Sequence, residues 1–376
     1  MILLKERSED LGSVFTEAVQ LALEGGRLSL EQAASLLDAS EGEIPILFSA
    51  ADALRRRQVG DTVTFVVNRN INFTNICTCG CSFCAFSKRP GDPGGYLLSM
   101  DQVRRKVVEA RKAGATEVCI QGGINPSIGL DYYLDLLAAI RDEMPGVHVH
   151  GFSPMEIESV AKKEGLSPEE VLQILREAGL GSMPGTAAEI LVDEVRRVIC
   201  PRKLSSDRWE EIVKTAHRLG IPSTATIMYG TVETVEQRAA HLLRIRRIQE
   251  ETGGFTEFIP LPFIDPHRRG HVKGATSGVE DLKMIAASRL VLGRVVPNIQ
   301  VSWVKMGVKL AQVGLVCGAN DLGGTLMEEN ISHSAGATTP TSLRPEEMVG
   351  LIRGLDRRAA QRDTLYRILK TFPGKS

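Results

Sequence analysis

Three cysteines, Cys77, Cys81 and Cys84, stand in the spacing CxxxCxxC within the stretch from Asn72 to Cys84, NFTNICTCGCSFC. Thiolates hold iron-sulfur clusters, and a [4Fe-4S] cubane bound by three protein thiolates keeps one iron open to a further ligand. Spacings this short let one loop wrap a corner of such a cluster, and Phe83, just before the last cysteine, can shield it from water. Other readings of the same thiols are weaker. A structural zinc usually takes two separated ligand pairs, and no second CxxC lies elsewhere in the chain. A disulfide framework is out of place in a long chain without a secretion signal. Cys79 is a fourth thiol inside the loop, but it does not fit the spacing and reads as a bystander.

The elements around the loop must hold it at the end of a strand. Asp61 to Asn68 (DTVTFVVN) alternates β-branched and polar residues and leads straight into the cysteines. Strand and helix patterns then alternate. Ser99 caps an expected helix to Ala113, and strands are expected at Glu117 to Gln121, Val147 to Phe152, Leu180 to Met183, Ser223 to Met228, Phe255 to Pro260, Ile299 to Ser302 and Gly314 to Cys317. Such alternation implies parallel strands with crossover helices, and eight strands suggest an α/β fold closed as a (β/α)8 barrel. The expected organisation is an N-terminal helical cap over 1–60, a barrel over 61–345, and a helical segment over 346–376 packed on the barrel.

Active-site residues of such barrels lie at the carboxyl ends of the strands. Gly122-Gly123 follows the second strand, where paired glycines let backbone approach a ligand or simply make a βα turn. His148 and His150 share one face of the third strand, with His150 nearer the active end, as a catalytic group or a hydrogen-bonded packing residue. Ser182 and Glu189 follow from the fourth strand, Glu189 at a helix start where a carboxylate is favoured in any case. Tyr229 ends the fifth strand in a turn suited to a flat ring or to core packing. From Gly318 to Asn330, glycines and carboxylates are dense enough that burial without a ligand would be costly, so Asn320, Asp321, Glu328, Glu329 and Asn330 are expected to face substrate, as are His150 and Glu156.

Composition limits the function classes. The chain has 376 residues, 43% of them hydrophobic, and a formal net charge of -1, so neither nucleic acid nor an anionic membrane is the expected partner. No apolar run approaches the ~20 residues of a membrane helix. The N-terminus lacks the apolar core of a secretion signal, and a reducing cytoplasm is the expected location.

The cysteine loop resembles the signature of the radical S-adenosylmethionine (SAM) superfamily. That resemblance implies a [4Fe-4S] cluster on Cys77, Cys81 and Cys84, SAM chelating the open iron, and an electron donor such as ferredoxin or flavodoxin. It also implies a SAM site that includes Phe83, Gly122, Gly123, Ser182, Glu189 and Tyr229. The stretches NRNINFTNIC, CSFCAF, QGGINP, HGFSPMEI, GLGSMPGTAAEIL, ICPRK, TATIMYG and GANDLGGTLMEENIS are similar to the tyrosine-dependent 4-hydroxybenzyl transferases of deazaflavin (Fo) synthesis, which work with a companion first subunit. The implied reaction joins the 4-hydroxybenzyl group of L-tyrosine to 5-amino-6-(D-ribitylamino)uracil and releases 2-iminoacetate, methionine and 5'-deoxyadenosine. The alternative in the same branch is a menaquinone-pathway enzyme, an aminofutalosine synthase or dehypoxanthine futalosine cyclase. The motif Pro184-Gly185-Thr186-Ala187-Ala188-Glu189 favours the deazaflavin side.

Overall fold

Alternation with a period of two decides how each strand of the protein faces its surroundings. In the computed structural model, which describes residues 13–264 and 276–373, β3 (Glu117–Gln121) buries Val118 and Ile120 outward under the helices. It turns Glu117, Cys119 and Gln121 into the lumen. β5 (Ser223–Tyr229) does the same, with Ala225 and Ile227 in the outer core and Thr224, Thr226 and Met228 inward. Polar side chains inside a sheet of apolar runs therefore converge on one axis.

The strands form a closed parallel ring. Residues 62–72 make one bent strand, divided at Val67 into β1 (Thr62–Val66) and β2 (Asn68–Asn72). β2 pairs with β3 (Asn70 opposite Cys119), and β3 pairs with β4 (His148–Gly151). Single bridges from His150 to Ser182 and from Met183 to Ser223 carry the ring across a very short fourth strand to β5. β5 pairs with β6 (Phe255–Pro262), and bridges Phe258 to Ile299 and Gln300 to Asp321 lead to β7 (Asp321–Gly324). β7 returns to β1, Thr64 opposite Asp321. This is the expected eight-stranded barrel.

Two expectations are corrected. The eighth strand is Asp321–Gly324, whereas Gly314 to Cys317 ends the helix Val308–Gly314 and continues as a turn. A four-residue apolar run such as Gly-Leu-Val-Cys looks the same in a buried helix end as in a strand, so pattern alone misplaces it. The described residues of the segment 346–376 are helical only at their start, in Pro345–Arg353, and then form β8 (Arg358–Arg362) and the antiparallel β9 (Ile368–Phe372). β8 lies parallel to β1 on the side away from β7, so the lower half of the first strand has the C-terminal strand as neighbour and the upper half has β3.

Helix starts follow their caps. Ser29, Ser99, Ser153, Ser167, Thr234 and Ser277 each complete a capping box with the residue three positions on. Helices Ser13–Glu24, Leu30–Leu37 and Ile44–Val59 precede the barrel and pack on Gly278–Leu292 and Val235–Thr252. Among the described residues no helix is long and apolar enough to cross a membrane.

Candidate active site

The cluster loop leaves the top of β2 and is tied down by backbone on both sides. The amide of Cys77 donates to the carbonyl of Lys88 at 2.8 Å, and that of Thr78 donates to Ile124 at 3.0 Å. Ser82 donates to the carbonyl of Ile199 through its amide at 2.9 Å and its hydroxyl at 3.1 Å, and Arg202 holds the carbonyl of Thr78 at 3.0 Å. Gly122-Gly123 backs directly onto this loop. A Cβ on Gly123 would stand 2.3 Å from the carbonyl oxygen of Ile76 and 3.0 Å from the Cβ of Cys77, and one on Gly122 would enter the Phe73 ring. The glycines are needed for that approach.

Cys77, Cys81 and Cys84 are free thiols that open on one cavity of about 420 Å³ at the carboxyl ends of the strands. They do not converge on a single ion-sized point with other His, Cys, Asp or Glu among the described residues. A cubane takes its thiolates on separate corners, so three thiols facing one space, beside a glycine turn that leaves room, fit a [4Fe-4S] cluster with an open iron. Cys79, more buried than they are, lines the same cavity; its thiol hydrogen-bonds Cys77 and holds its pKa down at about 6, while burial pushes Cys81 up to about 12 against the pull of Lys203.

Phe83, Gly122, Gly123, His150, Glu156 and Glu189 line the same cavity. Glu156 is the third residue of the helix Pro154–Glu164 and closes the capping box with the N-cap Ser153. One carboxylate oxygen accepts the Ser153 amide and hydroxyl, each at 2.7 Å, and the other accepts the Gly122 amide at 3.2 Å. Burial raises its pKa to about 7 despite those bonds. Glu189, at φ 45°, pairs with Lys203, whose ammonium also lies 5.4 Å from the centre of the Phe83 ring. Burial opposes the Lys203 charge, yet Glu189 and the Cys81 thiol hold its pKa above the ordinary lysine value. His150 is buried and Ser182 lies behind it, its hydroxyl 2.7 Å from both His150 Nδ1 and His148 Nε2. Burial lowers the His150 pKa to about 4 although Glu117 favours its charge, so the ring is neutral at pH 7.

Other expected site residues stand elsewhere. Tyr229 is on the outward parity of β5 and donates to Asp281 at 2.9 Å, so Met228 is the neighbour that meets the cavity. Asn320 accepts from Arg289 at 2.7 Å and from the Ile299 amide at 2.9 Å. Asp321 is fully buried in a two-bond pair with Arg362, 2.6 Å to Nε and 3.0 Å to the outer nitrogen. Glu328 is half-exposed between Arg69 at 2.8 Å and Lys106 at 2.5 Å. These carboxylates and amides are satisfied by protein partners, which removes the burial cost that pointed to a ligand.

The tail supplies the cavity floor. Arg362 reaches Glu257 at 3.4 Å as well as Asp321, Tyr366 donates to Glu257 at 2.5 Å, and Thr364 donates to Glu117 at 2.7 Å, with Asn68 on the other oxygen of Glu117 at 2.9 Å. Burial raises the Glu257 pKa to about 7 against the Arg362 charge. Sequence reasoning missed Lys203, Lys305, Glu117, Glu257 and Arg362. For Glu117 and Glu257 a signal existed, since each is a charge at a lumen-parity position of an apolar strand.

Residues 71–245 match the Radical SAM superfamily, and residues 252–370 match the CofH/MqnC C-terminal region. The chain is 57% identical over 323 residues to the 5-amino-6-(D-ribitylamino)uracil--L-tyrosine 4-hydroxyphenyl transferase of Archaeoglobus fulgidus, covering 86% of this chain and 93% of that one. It is 51% identical over 351 residues to the protein of the same name from Methanococcoides burtonii, covering 92% and 97%. The fold is similar to that of HydG, a maturase of the [FeFe]-hydrogenase, with a TM-score of 0.74 at 16% identity over 95% of this chain and 78% of that one. Methylornithine synthase (PylB) superposes with a TM-score of 0.69 at 20% identity over 90% and 95%. With a cluster loop at the mouth of a closed barrel and half or more of its aligned residues shared with these relatives, the chain belongs to the 5-amino-6-(D-ribitylamino)uracil--L-tyrosine 4-hydroxyphenyl transferase family of radical SAM enzymes.

Proposed function

We propose that this protein transfers the 4-hydroxybenzyl group of L-tyrosine to 5-amino-6-(D-ribitylamino)uracil in deazaflavin synthesis, with 2-iminoacetate, methionine and 5'-deoxyadenosine as the other products. The observation that carries the reading is the 57% identity to a transferase of that name across a chain whose cluster thiols face one substrate-sized cavity. When bound, the cluster and SAM supply the reductive cleavage that starts hydrogen abstraction from tyrosine. An external one-electron carrier of the ferredoxin or flavodoxin type and a companion first subunit belong to the same proposal.

The chain's own residues bind, orient and exclude water. Cys77, Cys81 and Cys84 would hold the cluster, and the Gly122-Gly123 turn, Glu156 and Glu189 line the same cavity. Met155, Met228, Leu261, Phe263, Val304 and Leu326 make the cavity walls apolar, which keeps reactive fragments from solvent. Polar groups share the lumen: Asn70, Glu117, His150, Thr226 and Gln300. Neutral His150 is held through Nδ1 by Ser182, so Nε2 is the ring nitrogen left for a polar ligand. A ribityl uracil has donors and acceptors to match such a floor, and a site of this kind rejects ligands that would leave its groups unpaired.

Anaerobic turnover of the reconstituted, reduced protein with SAM, L-tyrosine and the ribityl uracil tests the reading. Mass spectrometry should show 5'-deoxyadenosine and a hydroxybenzyl adduct of the uracil, and omitting the uracil should abolish the adduct. Turnover of a futalosine-type substrate with no adduct would replace this reading with the menaquinone one.

A further inference from the structure

Lys305 lines the active cavity on the short helix Trp303–Met306, just past the seventh barrel strand; its amide donates to the carbonyl of Ser302 at 3.0 Å, but its ammonium makes no hydrogen bond or ion pair among the described residues. Burial works against its charge, while Glu329, Glu189 and the Cys84 thiol face it and favour that charge. Neither carboxylate neutralises it. Glu189 is taken by Lys203, and both oxygens of Glu329 accept the Ser332 amide at 3.0 Å. Glu329 lines the cavity too and is buried, on the loop past β7, the strand adjacent to residues 299–301. Two neighbouring strand ends thus present an ammonium and a carboxylate to the same space without joining them to each other. Charges held away from water are costly unless a partner arrives, and here the partner must carry both signs a short distance apart. An α-amino acid zwitterion has that form.

We propose that Lys305 and Glu329 grip the α-carboxylate and the α-ammonium of the amino-acid substrate, L-tyrosine. The proposal rests on the transferase reading above. It makes the two residues specificity determinants: the grip fixes the amino-acid end, so that the phenol end projects along the cavity. SAM carries the same zwitterion, and the experiment separates the two sources.

The test measures anaerobic binding by calorimetry to the cluster-loaded protein with SAM present. The ligands are L-tyrosine, tyramine, which lacks the carboxylate, and 3-(4-hydroxyphenyl)propionate, which lacks the amine. Wild-type protein should prefer tyrosine to both. K305M should lose about tenfold or more in tyrosine affinity, the scale of a charged hydrogen bond, with tyramine unchanged. E329Q should lose its preference for tyrosine over the propionate. K305R should recover part of the tyrosine affinity. If K305M does not load its cluster, K305Q and E329Q carry the same comparison. Equal weakening of tyrosine and tyramine overturns the grip, as does loss of SAM affinity with tyrosine discrimination intact, which would assign the carboxylate to SAM. A wild-type protein that ignores tyrosine altogether overturns the transferase reading and the grip with it, whereas normal tyrosine binding with unchanged discrimination in K305M overturns the grip alone.

Discussion

A Cβ on Gly123 would lie 2.3 Å from the carbonyl oxygen of Ile76, so the turn after β3 is pressed against the backbone that immediately precedes Cys77. Backbone cannot give way as a flexible side chain can, and even one methyl group there must move the cluster loop. Gly123→Ala is therefore expected to lower bound iron and the brown visible absorbance of the reconstituted protein, with Gly122→Ala acting through the softer Phe73 ring and costing less. Full iron content in the Gly123 variant would show that the loop has more freedom than this contact allows.

The cluster itself separates Cys79 from its neighbours. Replacing Cys77, Cys81 or Cys84 with Ala should remove the iron-sulfur absorbance and the cleavage of SAM. Cys79→Ala should retain both, because its thiol falls outside the CxxxCxxC spacing and serves Cys77 as a hydrogen-bond partner. Iron lost only in the Cys79 variant would reassign the ligand set.

Arg362 bridges Asp321 and Glu257 where all three are buried. Removing the arginine leaves buried carboxylates without a counter-charge, a loss of about 3–5 kcal/mol for a pair of this kind. Arg362→Leu should lower the urea midpoint accordingly. The double variant with Asp321→Leu should recover much of the loss, since two apolar groups can replace a buried pair; no recovery would mean that the tail is held by something other than this pairing.

His150 gives a pH signature of known sign. Its folded pKa is depressed to about 4 by burial, below the 6.5 of a free imidazole. The folded state therefore binds fewer protons, and the stability from keeping the ring neutral is fully present above pH 6.5 and lost as pH falls through 4. The full loss is roughly 3 kcal/mol. His150→Gln should flatten the stability curve of the protein between pH 6.5 and 4 while leaving its slope above pH 7 unchanged. A parallel curve for variant and wild type would put the acid sensitivity on other groups.

Much of this arrangement was legible before the structure. The cap at Ser99 and the strand and helix alternation are local patterns, and they led to the helix Met100–Lys112 and to the barrel, although the run Gly314–Cys317 was misplaced. Parity within a strand was harder: Tyr229 and Met228 are neighbours, and a shift of one residue decides which enters the cavity. Asn320 and Asp321 misled because a polar cluster near the active end looks like a ligand site when its partners, Arg289 and Arg362, lie far off in sequence. Lys203 and Lys305 were invisible for the same reason. A lysine on a helix or turn reads as a solvated residue until the fold places Phe83 or Glu329 across from it.

The pairing of β1 with both β7 and β8 has a consequence for the order of synthesis. Thr64 and Asp321 are 257 residues apart, and β8 follows later still. When the chain has been made through Cys84, the strand leading to the cysteines has neither lower neighbour, and the ring stays split along that seam until β7 and β8 follow. Contacts this distant close slowly. β8, at Arg358–Arg362, is thus the strand that closes the seam along the lower half of β1.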